Sequence, residues 1–213
     1  MTKRLFDIVF SLLGLIILAP ILLIISILIK ANSEGDILYK QKRIGKAGEP
    51  FYVNKFRTMV KDADKKGKQI TVGNDSRITR VGRVLRKLKL DELPQLINVL
   101  KGEMSFVGPR PEVSKYVKLY TKSQREILNI KPGITDYASI YFSNESELLD
   151  QADDSEEFYV NKVMPYKIML NKRYIENKSL VEDVKVICMT LLKIVGLYGE
   201  EADMETLREY EEQ

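Results

Sequence analysis

The stretch that most constrains this chain runs from Ile8 to Ile29, IVFSLLGLIILAPILLIISILI, 22 consecutive uncharged and mostly apolar residues. A run of that length suffices to cross a hydrocarbon core about 30 Å thick. It exceeds the apolar segment of a secretory signal, and no small-x-small cleavage site follows Ile29. A membrane-attached chain is therefore expected. Pro20 sits near the middle of the run. It lacks an N–H and its ring opposes the carbonyl of Ile16, so a break is expected there. Neither arm, about 12 residues before Pro20 and about 9 after it, is long enough to cross alone. Both flanks are basic, with Lys3 and Arg4 before the run and Lys30, Lys40, Lys42 and Arg43 at and after its end. Positive charge favours the cytoplasmic side. A helix that enters one leaflet, breaks at Pro20 and returns satisfies both observations. A kinked single-pass helix is the competing reading, since membrane helices tolerate proline.

The remaining composition narrows the chemistry. With 213 residues and 45% hydrophobic content the chain can form an ordinary core. A single cysteine, Cys188, excludes an intrachain disulfide and a cysteine zinc cluster. There is no histidine, so any general base must be Asp, Glu, Lys or Tyr, and histidine triads are excluded. Charge is uneven. Gly199 to Gln213 hold seven acids and one base, a net of −6, which against +4 for the whole chain leaves about +10 on residues 1–198. A basic body suits an anionic partner: lipid headgroups, phosphorylated substrates or nucleic acid.

Ile37–Ile44 and Phe51–Phe56 alternate like strands, and GKAGEP between them reads as a turn, so a β-hairpin is expected with Lys55 and Arg57 near its end. Lys61–Arg77 is polar and glycine-bearing, a loop. Thr79–Leu90 has the spacing of a helix, with Val81, Val84, Leu85 and Leu88 as its apolar stripe. Its basic remainder (Arg80, Arg83, Arg86, Lys87, Lys89) reads as a solvated or headgroup-facing surface. A second helix is expected over Glu92–Leu100, ended by Gly102. SFVGPRPE, Ser105–Glu112, is stiffened by two prolines around Arg110, and NIKPGITD is a further turn. Residues Asp153–Asn177 and Val181–Leu197 read as helical.

Two adjacent carboxylates, Asp91 and Glu92, lie between these two expected helices. The bland reading is structural: Asp91 as an N-cap, with Pro94 tolerated in the first turn and acids favoured at a helix N-terminus. The chemical reading rests on Arg86 five residues upstream and Arg110 in its stiff loop. Acids beside arginines in a basic, membrane-attached body suit a magnesium-bound phosphate, because Mg²⁺ takes one or two carboxylates plus substrate phosphates and arginine grips phosphate through paired donors. Without histidine, an aspartate is the natural oxygen nucleophile toward phosphorus.

Four stretches in this order form a specific combination: KRLFD at Lys3–Asp7, QKRIGKAGEPFYVNKFRTM at Gln41–Met59, SRITRVGRVLRKLKLDELPQLINVLKGEMSFVGPRPE at Ser76–Glu112, and KPGIT at Lys131–Thr135. On them the chain resembles the bacterial sugar transferases, the small monotopic phosphoglycosyl transferases. The resemblance implies transfer of a sugar-1-phosphate from a UDP-sugar to undecaprenyl phosphate, giving undecaprenyl-diphosphate-sugar and UMP. It implies a covalent aspartyl-phosphosugar intermediate, a Mg²⁺ requirement and no nucleic-acid partner. By motif position it makes Asp91 the nucleophile and a metal ligand. Glu92 either joins the metal site or takes a proton from the polyprenyl phosphate. Lys55, Arg86 and Arg110 neutralise phosphate oxygens. It also implies a re-entrant helix broken at Pro20, and a catalytic domain on the cytoplasmic face of the bacterial inner membrane.

The expectation is thus an α+β, mostly helical protein: a re-entrant membrane helix over residues 1–30, a catalytic domain with amphipathic interfacial helices and a small β-hairpin over 31–198, and an acidic tail over 199–213. Two departures from the family pattern stand out. Ala19 precedes the proline where relatives often have Ser, leaving Ser11, Ser26 or water to support the break. Asp136-Tyr137 stands where many relatives have Gly-Trp or Gly-Leu, in a loop that is a candidate for sugar recognition. Two other functions use the same features: a membrane-bound Mg-dependent phosphohydrolase, and a non-enzymatic basic scaffold in which Asp91 is only a cap.

Overall fold

The computed structural model of the protein describes residues 2–63, 75–199, 201–203 and 206. Much of the polar loop expected over Lys61–Arg77, and most of the acidic tail, lie outside the described residues. The chain divides into two compact units, one comprising residues 2–43, 50–63 and 75–105, the other residues 44–49 and those from 106 onward. The fold is α+β and mostly helical, as expected from the sequence.

The first unit is built around α1, Thr2–Asn32, the apolar run with its basic flanks. The helix does not divide at Pro20: helical structure continues on both sides of it. A proline removes one N–H from the ladder, here the bond toward Ile16, and the bonds before and after still form. Ser11 and Ser26 do not support that gap. Each turns back on its own preceding turn, Ser11 to the Ile8 carbonyl at 3.2 Å and Ser26 to the Leu22 carbonyl at 2.7 Å.

One side of α1 faces protein along its length. Asp7, Ser11, Ile25 and Ile29 are buried, whereas Ile16, Ile17, Leu23 and Ile27 on other faces are each more than half exposed. Near its start, Arg4 donates from both Nη atoms to the carbonyls of Val99 and Leu100, at 2.6 and 2.8 Å. Those are carbonyls at the C-terminal end of α3 (Gln95–Lys101), where a cation is favoured; the Val99 carbonyl also accepts from the Gly102 N–H at 2.9 Å. Asp7 accepts from the Ser105 hydroxyl at 3.1 Å. Near its end, Ile25 and Ile29 join Phe56 and Leu85 in a buried cluster. Arg57 there donates to the Ser33 carbonyl at 2.6 Å.

The hairpin forms as expected: β1 (Leu38–Ile44) pairs with β2 (Pro50–Phe56). Its turn, Lys46–Gly48, is a 3₁₀ segment that needs left-handed backbone at Ala47 and Gly48. The two expected helices are shorter than the sequence spacing predicts. The first, α2, spans Arg80–Lys87 with Thr79 as its N-cap. Only Leu85 of its apolar stripe is buried; Val81 is partly buried, and Val84 and Leu88 are exposed among the basic side chains. The second is α3, which begins at Gln95 and ends at Gly102. Between them Lys89 turns left-handed at φ 55°, and Leu90–Glu92 form a separate 3₁₀ turn.

β3 (Ser105–Val107), whose residues from 106 belong to the second unit, pairs with β4 (Gly133–Thr135). Short helices α4 (Ser114–Val117), α5 (Tyr137–Tyr141) and α6 (Glu145–Asp150) precede a continuous helical run. That run is α7 (Ser155–Phe158), a π-turn at Tyr159–Val163, and α8 (Met164–Asn177). Helix α9, Leu180–Ile194, follows. The main core gathers Tyr116, Phe142, Leu149, Val163, Met164 and Ile168, and Tyr159 lies among them. Burial pushes the Tyr159 phenol well above its ordinary value, and the Glu112 and Glu145 carboxylates add to the effect. Its hydroxyl donates to Glu112, the last residue of the SFVGPRPE segment.

Candidate active site

The carboxylate pair lies in the 3₁₀ turn Leu90–Glu92, and α3 starts three residues later. Asp91 is not the N-cap of that helix. The capping position is Pro94, and it makes no side-chain cap bond. The reading of Asp91 as the cap of that helix is therefore not met. Asp91 is nine-tenths buried. Glu92 accepts from Lys55 Nζ at 2.9 Å, with about 15% of the Glu92 side chain exposed.

Lys55 comes from β2, and its register is fixed by the residue before it. Asn98 of α3 is fully buried, and its Oδ1 accepts from both the backbone N–H and the Nδ2 of Asn54, each at 2.9 Å. The Asn98 Nδ2 donates to the Tyr52 carbonyl and to Glu103 Oε2, each at 2.7 Å. The strand carrying Lys55 and the helix following the acidic pair are thus joined through a satisfied buried amide.

Arg86 approaches from α2. Its Nε donates to the Thr58 hydroxyl at 2.9 Å. Burial lowers its pKa, and the nearby carboxylates of Asp91 and Asp75 oppose that shift, so the guanidinium stays charged beside the acidic pair. Asp75 is itself held by Arg77 at 2.5 Å. The Arg77 hydrogen bond, reinforced by its charge, brings the Asp75 carboxyl down to about 2.

Of the residues singled out from the sequence, the first unit therefore brings together Asp91, Glu92, Lys55 and Arg86. Arg110 belongs to the second unit, in the loop after β3. There Gly108 and Gly133 allow two chains to cross closely: a Cβ on Gly108 would lie 2.5 Å from the Lys131 carbonyl, and one on Gly133 would lie 2.2 Å from the Gly108 nitrogen. The fully buried Asp136 holds this loop. Its Oδ2 accepts from the Arg110 N–H at 3.0 Å, and its Oδ1 caps α5 through Ser139 at 2.6 Å. Asp136, expected in a sugar-recognition loop, is an internal brace of the Arg110 segment.

Sequence reasoning missed Thr58, Asn54, Asn98 and the Asp75–Arg77 pair. The readable trace for Thr58 was the spacing Thr79, Gly82, Arg86, which puts three residues on one helix face. Nothing local marks Asn54 and Asn98, which are 44 residues apart.

The family described as bacterial sugar transferase matches residues 1–196. The chain belongs to the bacterial sugar transferase family. It is 35% identical over 202 residues to the UDP-N-acetylgalactosamine-undecaprenyl-phosphate N-acetylgalactosaminephosphotransferase of Aeromonas hydrophila, covering 92% of this chain and 44% of that protein. It is 39% identical over 196 residues to the UDP-glucose:undecaprenyl-phosphate glucose-1-phosphate transferase of Klebsiella pneumoniae, covering 90% of this chain and 39% of that one. It is 37% identical over 197 residues to the uncharacterized sugar transferase EpsL of Bacillus subtilis, covering 92% of this chain and 89% of EpsL. This family member thus spans less than half the length of the two transferases named for a reaction, and most of EpsL.

Proposed function

We propose that this bacterial sugar transferase moves a sugar-1-phosphate from a UDP-sugar to undecaprenyl phosphate, giving undecaprenyl-diphosphate-sugar and UMP. The observation that carries the reading is a buried aspartate outside any capping position, flanked by cations from β2 and α2, in the same folded unit as a long apolar helix. The names of the Aeromonas and Klebsiella relatives support the general reaction.

Two displacements at one phosphorus account for it. An Asp91 carboxylate oxygen attacks the β-phosphorus of the donor; the new O–P bond forms as the bridging P–O bond breaks and UMP leaves with that bridging oxygen. An oxygen of undecaprenyl phosphate then attacks the same phosphorus, and the acyl-phosphate bond breaks to regenerate the carboxylate. Arg86 offers paired N–H donors to the phosphate oxygens. Arg110, in the second unit, is a phosphate-binding candidate by motif position alone. Lys55 exchanges its hold on Glu92 for a substrate oxygen.

The donor set suits Mg²⁺. Among the described residues no cluster of three or more acidic or sulfur ligands forms a closed cage, but Mg²⁺ is typically held by one or two carboxylates with substrate phosphates completing its shell. The Glu92 carboxylate already holds one cation, Lys55. Asp91 and Glu92 would hold the ion, which supplies charge neutralisation for the diphosphate.

In the same proposal residues 1–30 insert from the cytoplasmic face of the inner membrane, and residues 31–198 work at its surface. A water-soluble donor and a long-tailed acceptor can meet only at headgroup level. Both ends of α1 are tied to one folded unit, Arg4 to α3 and Ser33 to Arg57, which supports an apolar helix held to the unit that carries the candidate site.

The test is UMP release from purified full-length protein with a panel of UDP-sugars, Mg²⁺ and undecaprenyl phosphate. Transfer requires UMP release that depends on the polyprenyl phosphate; release into water alone would make the protein a hydrolase. Asp91→Asn should abolish turnover and the phosphosugar adduct while leaving the fold intact. An active Asp91→Asn protein would remove the nucleophile from the scheme.

A further inference from the structure

Thr58, the second residue beyond β2, is buried and meets α2 at three points. Its carbonyl accepts from the backbone N–H and the hydroxyl of Thr79, at 2.9 and 3.3 Å. The same carbonyl lies directly under Gly82, where an added Cβ would come within 2.0 Å of it. Its hydroxyl accepts from Arg86 Nε at 2.9 Å. Thr79, Gly82 and Arg86 stand at i, i+3 and i+7 along α2, so one face of the helix is laid on one residue. Among the described residues no hydrogen bond reaches the Nη atoms of Arg86.

We propose that Thr58 is the positioning residue for Arg86: its hydroxyl takes up the Nε–H and so sets the guanidinium plane, leaving the terminal pair of nitrogens to grip the diphosphate of a nucleotide donor. A guanidinium has two places where it can make paired bonds, its Nε edge and its Nη end, and a planar fork binds phosphate well only when its plane is fixed. Occupying Nε from a buried strand end selects the Nη end. Lysine at position 86 could not use this arrangement, since a single ammonium cannot both hold Thr58 and present a fork. The inference rests on the reading of Arg86 as a phosphate-binding group.

The experiment uses the full-length protein in nanodiscs and compares Thr58→Val, which keeps the shape and removes the acceptor, with Thr58→Ser, which keeps the acceptor. The first readout needs no turnover. The Arg86 Nε–H resonance in ¹⁵N-arginine-labelled protein, assigned by its loss in Arg86→Lys, is expected to exchange slowly in wild type and Thr58→Ser and rapidly in Thr58→Val. UDP titrated against the same samples should bind about ten- to a hundredfold more weakly to Thr58→Val, the range for a lost hydrogen bond to a charged group. The second readout is UMP release. Thr58→Val should lower kcat/KM by a similar factor, Thr58→Ser should stay within a few-fold of wild type, and Thr58→Val should add nothing in an Arg86→Gln background.

Equal UDP affinity in Thr58→Val and wild type would overturn the proposal. So would equal losses in Val and Ser variants, or a full further loss when Thr58→Val is combined with Arg86→Gln, since both mark a role in folding alone. A wild type that binds UDP with the expected dependence on Thr58 but transfers no sugar would sink the transferase reading and leave the positioning of Arg86 standing.

Discussion

Replacing Asn98 with alanine should be among the most damaging single changes outside the reacting groups. Asn98 is fully buried and uses both atoms of its amide twice. Alanine leaves the buried N–H and side-chain amide of Asn54 without an acceptor, and the Tyr52 carbonyl without its donor. Glu103 is exposed and can turn to water. A buried polar group left unsatisfied costs about 1–3 kcal/mol. Two such groups on Asn54, with partial rescue of the Tyr52 carbonyl by solvent, put the loss at about 3–5 kcal/mol. Against a typical total of about 5–15 kcal/mol, that removes a large share of the stability of the unit.

Asn98→Asp separates acceptor from donor. The new carboxylate keeps an oxygen for Asn54 but sets its other oxygen against the Tyr52 carbonyl and Glu103, each now 2.7 Å from a donor nitrogen. Adding Glu103→Gln restores a donor toward that carboxylate and should recover part of the loss. Urea unfolding in detergent micelles, followed by far-ultraviolet circular dichroism, reads both effects as shifts in midpoint. A cost below about 1 kcal/mol for Asn98→Ala, or no recovery by Glu103→Gln, would refute the claim that this amide joins β2 to α3.

Three further outcomes can be measured on the same preparations. Gly82→Ala should lift α2 off Thr58 and cost both stability and UMP release, because its Cβ would lie 2.0 Å from the Thr58 carbonyl oxygen; unchanged melting would contradict the close approach. Asp75 has a native pKa of about 2 against an ordinary 3.8, so its pairing with Arg77 stabilises the fold above about pH 4 and the contribution is lost as pH falls through about 2. Asp75→Asn should therefore melt below wild type at neutral pH, with the gap closing toward pH 2. Asp136→Asn can cap α5 or accept from the Arg110 N–H but not both, since one oxygen becomes an NH₂. It should lower UMP release more than it lowers melting temperature, and a proportionate loss of both would argue against a brace specific to the Arg110 loop.

How much of this was legible depended on range. The apolar run, the hairpin around GKAGEP, and the helical stretches after Asp153 followed from local periodicity and turn residues, and they stand close to where the spacing puts them. The turn holding the acidic pair did not follow. Its geometry is set by Lys89 at φ 55°, a conformation that costs an L-residue of ordinary type about 1–2 kcal/mol and that no sequence cue announces. The sequence spacing therefore ran a helix through Leu90 and made Asp91 a cap. The brace from Asp136, the Asn54–Asn98 pair and the Arg4 contact with α3 join residues far apart in the chain. Periodicity within a window carries no trace of such partners.

One consequence of the first unit links its apolar helix to its candidate chemistry. Helix α3 receives Arg4 at its C-terminal end and follows the acidic turn at its N-terminal end, and Leu96 between them lies over Gly14. Helix α2 and β2, which carry Arg86 and Lys55, share a buried cluster with Ile25 and Ile29. The same short elements that gather the charges are thus the ones on which α1 rests, near both of its ends. A separate anchor joined by a linker could be exchanged without touching the reacting groups. Here α1 supplies part of the core beneath them, so a change on its buried face, such as one that removes Arg4 or Ile29, acts on the acidic pair by the same route as a change in α3 or α2. Exposed positions such as Ile17 and Leu23 have no such route, and the two faces of one helix should differ accordingly in what they do to turnover.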